Sequence, residues 1–413
     1  MNHHNHPNAP NDPNDPLDAR DHRQLAQQLG LLHFQDEAPG MVFWHPRGWQ
    51  LYRLLEAAAR HQIEREGYAE VRTPQVLRQP IWEASGHWAS FSGGMLELER
   101  PPERREALKP VSCPGHAQLV ARRVVSYQEL PLRLAEFGLV HRDERSGSLH
   151  GLLRLRQFTQ DDGHIFCAEH QLVDEIAAFC RSLIAFYARF ELEAPKVGLS
   201  LRPEARHGSD ALWDQAEEAL RQGAAQAGLA WHEQLGEGAF YGPKLEFVLL
   251  DSAGRPWQCG TIQVDFVMPE RFDLSYMNAA GERQRPVMLH RALYGSLERF
   301  MGLLLEHHGR HLPAWLAPVQ ARVLPLSEAF AGYAGEVARA LGDAGVRVEV
   351  DDRSESLGRR VAEALRDGVP VSVVVGERER QARSASVRLR SGSRVAPLAE
   401  AVREVVEACR AVA

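Results

Sequence analysis

Two runs of alternating residues, "LPLRLAEFGLVHR" and "GLLRLRQFTQDDGHIFC", flank a polar loop at Ser146, Gly147 and Ser148, and they constrain this chain more than any other feature. Alternation with period two is the mark of a β-strand, and two such runs joined by a polar loop predict a long antiparallel hairpin. On the second arm Phe158, Gln160, Asp162 and His164 share one face, and Thr159, Asp161 and Gly163 share the other. One strand face therefore carries a stacking ring, an amide, a carboxylate and a potential metal ligand.

The rest of the chain sets the frame for that hairpin. At 413 residues it exceeds the length at which one core usually stops growing, so two or three domains are expected. No apolar run approaches the roughly 18 residues of a membrane span. The first 18 residues are rich in Asn, His and Pro and have neither the basic start nor the apolar stretch of a signal peptide, so a disordered leader and a cytoplasmic protein are expected. His3, His4 and His6 fall within that leader. Five cysteines without a C-x-x-C pair fit reduced thiols better than a disulfide framework. Lysine is scarce: only Lys109, Lys196 and Lys244 among 48 basic residues.

Helical spacing predicts a short helix over 21–34, a longer one after "APGMVFWHPRGWQ", one over about 169–190, and one over "RALYGSLERFMGLLLEHH". Strands are expected at "YAEVRTP", "KLEFVLLD" and "WQCGTIQVDFV", the last two joined by the turn 252–256. Strands following strands favour an antiparallel sheet with helices around it over a doubly wound parallel sheet. After the proline-punctuated "HLPAWLAPVQ" the rhythm becomes strand (319–325), helix (330–344), strand (346–351), helix (356–367), strand (371–375), strand (385–390) and helix (397–411), a compact α/β unit.

Neither G-x-x-x-x-G-K-[ST] nor G-x-G-x-x-G occurs, so phosphate would have to be held otherwise, for example by arginine forks. Arg142 in "VHRDERSG" and Arg299 in "GSLERF" are candidates, although a single arginine taken alone is more often a solvated ion pair. Cys113 in "KPVSCPGH", His164 and His290 in "PVMLHRALYG" could bind metal, but their wide spacing fits a free thiol and satisfied histidines as well.

The segments "EAPGMVFWHPRGWQLYR", "KPVSCPGH", "LPLRLAEFGLVHRDERSGSLHGLLRLRQFTQDDGHIF", "EGAFYGPKLEF", "WQCGTIQVDF" and "PVMLHRALYGSLERF" together resemble, in order, the core of the class II aminoacyl-tRNA synthetases, the threonyl branch in particular. The likeness runs from Asp21 almost to the end and implies an α/β chain in three parts. These are a leader over 1–20, a catalytic domain over 21–316 built on an antiparallel sheet flanked by helices, and an anticodon-binding domain over 317–413 with a mixed sheet.

Carried over residue by residue, the resemblance implies a zinc ion on Cys113, His164 and His290, completed by threonine's amine and hydroxyl. Asp162 would hold that hydroxyl, Gln160 and Tyr241 the amine, and Gln258, Gln263 and Lys244 would line the pocket. Phe158 would stack on adenine, Glu144 would read its edge, and Arg142 and Arg299 would clamp the ATP phosphates together with Mg²⁺. His87 in "ASGHWASF" would assist proton transfer from the terminal ribose hydroxyl of tRNA or simply position substrate, and Arg388 and Arg390 would meet the anticodon. The implied partners are tRNA(Thr), ATP, L-threonine and a second copy of the chain, paired through the helix and strand of 49–74, with no membrane.

Three departures qualify the likeness. The resemblance starts near Asp21, where bacterial relatives carry further N-terminal domains, including one that hydrolyses seryl-tRNA, so the expectation is a form without editing in cis. The purified chain should then make some seryl-tRNA and leave it intact; rapid deacylation of added seryl-tRNA would refute this. Residues 92–108 diverge from the family pattern, and Ser391 replaces a common arginine. Two rival readings are a truncated paralogue that serves a non-tRNA acceptor or acts as an inhibitor-resistant second copy, and an inactive RNA-binding relative.

Overall fold

In the computed structural model, the described residues are 20–90, 93–101, 104–390 and 392–410. The leader and its histidines, and Ser391, lie outside them.

An eight-stranded sheet organises the larger part of the molecule. Its strands are β1 (Ala69–Glu70), β2 (Leu132–His141), β3 (Gln157–Cys167), β4 (Lys196–Ser200), β5 (His232–Gln234), β6 (Lys244–Leu250), β7 (Pro256–Asp265) and β8 (Val287–Ala292). They lie in the order β5-β4-β6-β7-β8-β3-β2-β1. The interior from β4 to β2 is antiparallel throughout, and only the two edge strands pair in parallel. The hairpin expected from alternation is β2–β3, ten paired positions from Leu132↔Phe166 to His141↔Gln157. As the pattern requires, Thr159 and Asp161 are buried while Phe158, Gln160 and Asp162 are partly open.

Helices cover one face of the sheet. α1 (His22–Gln28) and α2 (Pro46–Arg65) come first, and α2 turns Leu51, Leu55, Ala59 and Ile63 into the core from a start fixed by proline at its first turn. α3 (Cys113–Ala121), also with proline in its first turn, lies against the other face, where Ala117 and Val120 pack with Leu134, Phe166 and Met288. α4 (Leu172–Ala188), α5 (Asp210–Gln226) and α6 (Leu297–His308) complete the first layer, burying Phe186, Tyr187, Phe300 and Leu304 among others. His22 ties α1 to α6: its Nδ1 lies 2.6 Å from Glu306 and its Nε2 accepts the Leu152 N–H at 3.0 Å. Both ring nitrogens are thus engaged by protein, and the cluster Asp21, His22 and Glu306 is a structural tie.

Two expectations are revised. The helix foreseen over 21–34 ends at Gln28, and Leu32–His33 pairs as a short strand with Phe43–Trp44. The helix foreseen from Arg291 begins at Leu297, because Val287–Ala292 is inserted as β8 in the middle of the sheet. Every residue of β8 is buried, so it shows no alternation to read.

The C-terminal unit has its own core of Val323, Val337, Val371, Val373, Val387 and Val405 and their neighbours. Strands β9 (Ala321–Pro325), β10 (Val348–Val350), β11 (Val371–Val375), β12 (Ser384–Leu389) and β13 (Gly392–Pro397) form a mixed sheet in the order β10-β9-β11-β12-β13. The first three are parallel and the last two antiparallel. A short helix, Glu377–Ala382, and β13 are additions to the expected rhythm. Among the described residues no helix is long and apolar enough to cross a membrane.

Candidate active site

Register assembles the site. Lys244 of β6 pairs with Gln263 of β7, Gln263 with His290 of β8, and His290 with His164 of β3. Four candidates from distant parts of the chain therefore form one transverse row across four strands, and paired residues project to the same face. Cys113 enters at the start of α3, and the potential ligand atoms of Cys113, His164 and His290 lie within 4.8 Å of one another.

The donors in this trio fit a metal. His290 Nε2 is 2.9 Å from Asp265 Oδ2, whose other oxygen accepts the N–H groups of Val267 and Met268. The ring proton of His290 is thereby committed to Nε2, so Nδ1 is a lone-pair donor facing His164 Nε2 at 3.0 Å. Two imidazole nitrogens and a buried sulfur suit Zn²⁺, and three protein ligands leave a position for substrate. Burial, with the charges of Asp162 and Asp265, pushes the Cys113 thiol well above its ordinary range. A divalent cation reverses that balance by stabilising the thiolate.

Asp162 borders the trio, 3.7 Å from His164 Nε2, and accepts the Ser112 N–H at 3.3 Å. Tyr241 packs against His290, ring centroids 5.3 Å apart. Gln263 donates to the Gly242 carbonyl at 2.9 Å, and Gly242 permits this approach because a Cβ there would fall 1.8 Å from the Val264 carbonyl oxygen. Lys244 pairs with Glu246, on its own strand. Gln160 is partly open and sits opposite Gly138, where a side chain would run into Ser112 Oγ. His87 is buried, with Nδ1 2.8 Å from Ser85 Oγ and Nε2 3.9 Å from Cys113 Sγ. Burial above all, with the positive charge of Arg142 adding to it, holds its ring neutral, near 3.

Two guanidiniums mark the other end of the site. Arg299 is fixed by the carbonyls of Leu153 (2.9 Å) and Gln258 (2.7 Å), so Gln258 contributes its main chain to the arginine's anchor. Arg142 donates to the Pro110 carbonyl at 3.2 Å and lies 5.1 Å from the centroid of the Phe158 ring. Burial and then the charge of Arg299 pull the Arg142 guanidinium down from its ordinary range. Two cations held together against their repulsion define a place for an anion. Glu144 pairs with Arg154 at 2.9 Å. In the C-terminal unit Arg388 and Arg390 are exposed.

Several participants were not singled out from the sequence. Asp265 and His116 stand in quoted motifs but have no distinguishing spacing. Glu298 is another: buried at the start of α6, it accepts the Thr159 N–H at 3.0 Å and so holds β3 between Phe158 and Gln160. Burial raises its carboxyl from 4.5 to about 7. The native state keeps this proton to higher pH than the unfolded chain, so stability should fall as pH rises from about 4.5 through about 7. In Glu298→Gln that falling component, worth roughly 3 kcal/mol by the size of the shift, should vanish from urea melts at pH 5 and pH 8. Parallel pH profiles in the two proteins would count against it.

An antiparallel sheet that gathers an arginine pair, a stacking ring and a buried N₂S trio on one face, followed by a mixed α/β unit, is the build of a class II aminoacyl-tRNA synthetase with an anticodon-binding domain. Sequence families agree: residues 96–308 match the tRNA synthetase class II core domain (G, H, P, S and T), and 320–408 match the anticodon binding domain. The structure of a threonyl-tRNA synthetase RNA-binding domain from Cryptosporidium parvum Iowa II is 36% identical, with a TM-score of 0.88 over 94% of this chain and 98% of that one. A threonine–tRNA ligase of Paraburkholderia phytofirmans is 48% identical over 372 residues, which cover 90% of this chain and 58% of that relative, and one of Burkholderia mallei is 49% identical over the same shares. This chain belongs to the threonyl-tRNA synthetase family of class II synthetases. It spans less than two thirds of the length of those curated relatives.

Proposed function

We propose that the chain is a threonine–tRNA ligase that activates L-threonine with ATP and transfers it to the 3′ end of tRNA(Thr). The carrying observation is the buried Cys113–His164–His290 trio beside Asp162, on the sheet that also presents Arg142 and Phe158.

Cys113, His164 and His290 would hold zinc, which when bound offers a Lewis-acid position for the amine and hydroxyl of threonine. Asp162 accepts a hydrogen bond from the hydroxyl, and Gln160 and Tyr241 orient the amine, with Gln263 and Lys244 closing the row and Gln258 at its edge. Phe158 stacks on adenine and Glu144 accepts from its amino group. Arg142 and Arg299, with Mg²⁺ accompanying ATP, neutralise charge that grows on the phosphate oxygens as the threonine carboxylate attacks the α-phosphate and pyrophosphate leaves. The terminal ribose hydroxyl of tRNA then attacks the adenylate carbonyl and AMP departs. His87, with both nitrogens turned to Ser85 and Cys113, fits a positioning role better than one as proton acceptor.

Arg388 and Arg390 offer exposed charge to the anticodon stem-loop, and the separate core of residues 321–409 supports a domain boundary near 317. Pairing of two copies through α2 and the edge strand β1 is part of the proposal, as is a cytoplasmic location; light scattering at micromolar concentration should give twice the chain mass. The reading is tested by ATP–pyrophosphate exchange with a panel of amino acids and zinc-replete protein: threonine should drive exchange best, and exchange driven by proline, or by none of them, refutes it.

A further inference from the structure

Behind His164 runs a line of buried polar groups that the reaction above does not use. Lys109 and Glu136 are fully buried and paired, Nζ to Oε1 at 2.7 Å. Thr73, just beyond β1, donates to the same carboxylate from its N–H (3.1 Å) and its hydroxyl (2.7 Å), and Lys109 Nζ also reaches the Thr73 hydroxyl at 3.0 Å. His116 Nε2 is 3.2 Å from Glu136 Oε2, and His116 Nδ1 is 2.7 Å from His164 Nδ1. Glu136, Lys109, His116 and His164 all have almost no solvent exposure.

With one ring proton on each histidine, counting outward from the carboxylate gives one arrangement. Burial pushes the Glu136 carboxyl up, but hydrogen bonds from His116 and Lys109 outweigh it and hold the group ionised, near 2. An ionised carboxylate only accepts, so His116 must donate from Nε2. With that one proton on Nε2, His116 presents Nδ1 as an acceptor 2.7 Å from His164 Nδ1, which places the His164 ring proton on Nδ1. His164 Nε2 is left as a lone pair, and it is this nitrogen that faces His290 Nδ1. In the opposite tautomer His164 would turn an N–H toward the metal position, and it could not bind a cation there.

We propose that Lys109, Glu136 and His116 form a positioning chain that fixes the tautomer of His164 and so prepares its Nε2 for the metal. The chain rests on the zinc reading given under Proposed function. It is longer than the usual carboxylate–histidine–metal pair, because a second imidazole is interposed between carboxylate and ligand; Asp265 on His290 is the short version in the same site. Lys109 Nζ, 2.7 Å from Glu136 Oε1, gives the carboxylate a counter-charge, which an apolar residue at 109 would remove.

The test is zinc affinity of the full chain, by competition with a chromophoric chelator. His116→Leu should bind zinc about 10–100-fold more weakly than the unaltered protein. His116→Asn, whose side-chain oxygen can take the place of Nδ1 as acceptor, should recover most of that loss. In exchange assays the leucine variant should raise KM for threonine and leave KM for ATP unchanged, a split that general loosening would not produce. Equal zinc affinity in the unaltered protein and His116→Leu overturns the positioning role alone, whereas an unaltered protein that binds no zinc overturns the metal reading as well. Should the variants fail to fold, long-range ¹H–¹⁵N imidazole spectra of the unaltered, zinc-loaded protein decide: His164 protonated at Nδ1 supports the chain, and protonation at Nε2 overturns it.

Discussion

Replacing Arg299 by alanine is expected to slow threonine-dependent ATP–pyrophosphate exchange by about 10²–10³-fold, the usual cost of removing one preorganised charge from a transition state. Two main-chain carbonyls, of Leu153 and Gln258, fix the guanidinium before substrate arrives, so no ordering is needed as charge develops. Arg299→Lys should recover little, because an ammonium is a point charge that cannot span both carbonyls and still present a planar fork to phosphate. The loss should fall mainly on kcat, since a group that matters most as charge grows contributes less to ground-state binding. A loss under tenfold would mean that the arginine pair is structural and that phosphate is held elsewhere.

Discrimination among amino acids should be just as uneven. Valine matches threonine in volume but brings no hydroxyl, leaving Asp162 and the metal position uncompleted, so kcat/KM for activation should favour threonine over valine by about 10⁴-fold or more. Serine brings the hydroxyl and lacks one methyl, so threonine should lead by only about 10–200-fold. Exchange assays with each amino acid measure both ratios. Asp162→Ala should erode the valine ratio while leaving the serine ratio nearly unchanged, because only the first depends on recognition of the hydroxyl. If valine were activated within a hundredfold of threonine, the pocket would be selecting by size and the trio would have another purpose.

The hairpin carrying Phe158, Gln160, Asp162 and His164 was legible because one of its faces meets the core and the other the cleft, which writes period two into the sequence. β8 was not, because all six of its residues are buried and nothing alternates. His290 was consequently expected ahead of a helix and sits instead mid-sheet, in a row with Lys244, Gln263 and His164. That row depends on strand register, which local pattern does not contain. The metal candidates came from resemblance, since residues separated by tens of positions have no spacing to recognise. His116 and Glu136 escaped notice for a related reason: their significance lies in which atoms they face. Lys109 did leave a trace, as one of three lysines in a chain that otherwise uses arginine. An ammonium can enclose itself among a carboxylate, a hydroxyl and a wall of apolar atoms where a guanidinium, with five donors in a plane, would leave some unsatisfied.

The central claim is tested most directly by charging of total tRNA with labelled threonine by the purified, zinc-replete chain. The expected result is acid-precipitable threonyl-tRNA, formed in an ATP-dependent reaction and lost when Cys113 or His290 is replaced by alanine. Adenylate formed from threonine with no label reaching tRNA would contradict it, and would point to an acceptor other than tRNA.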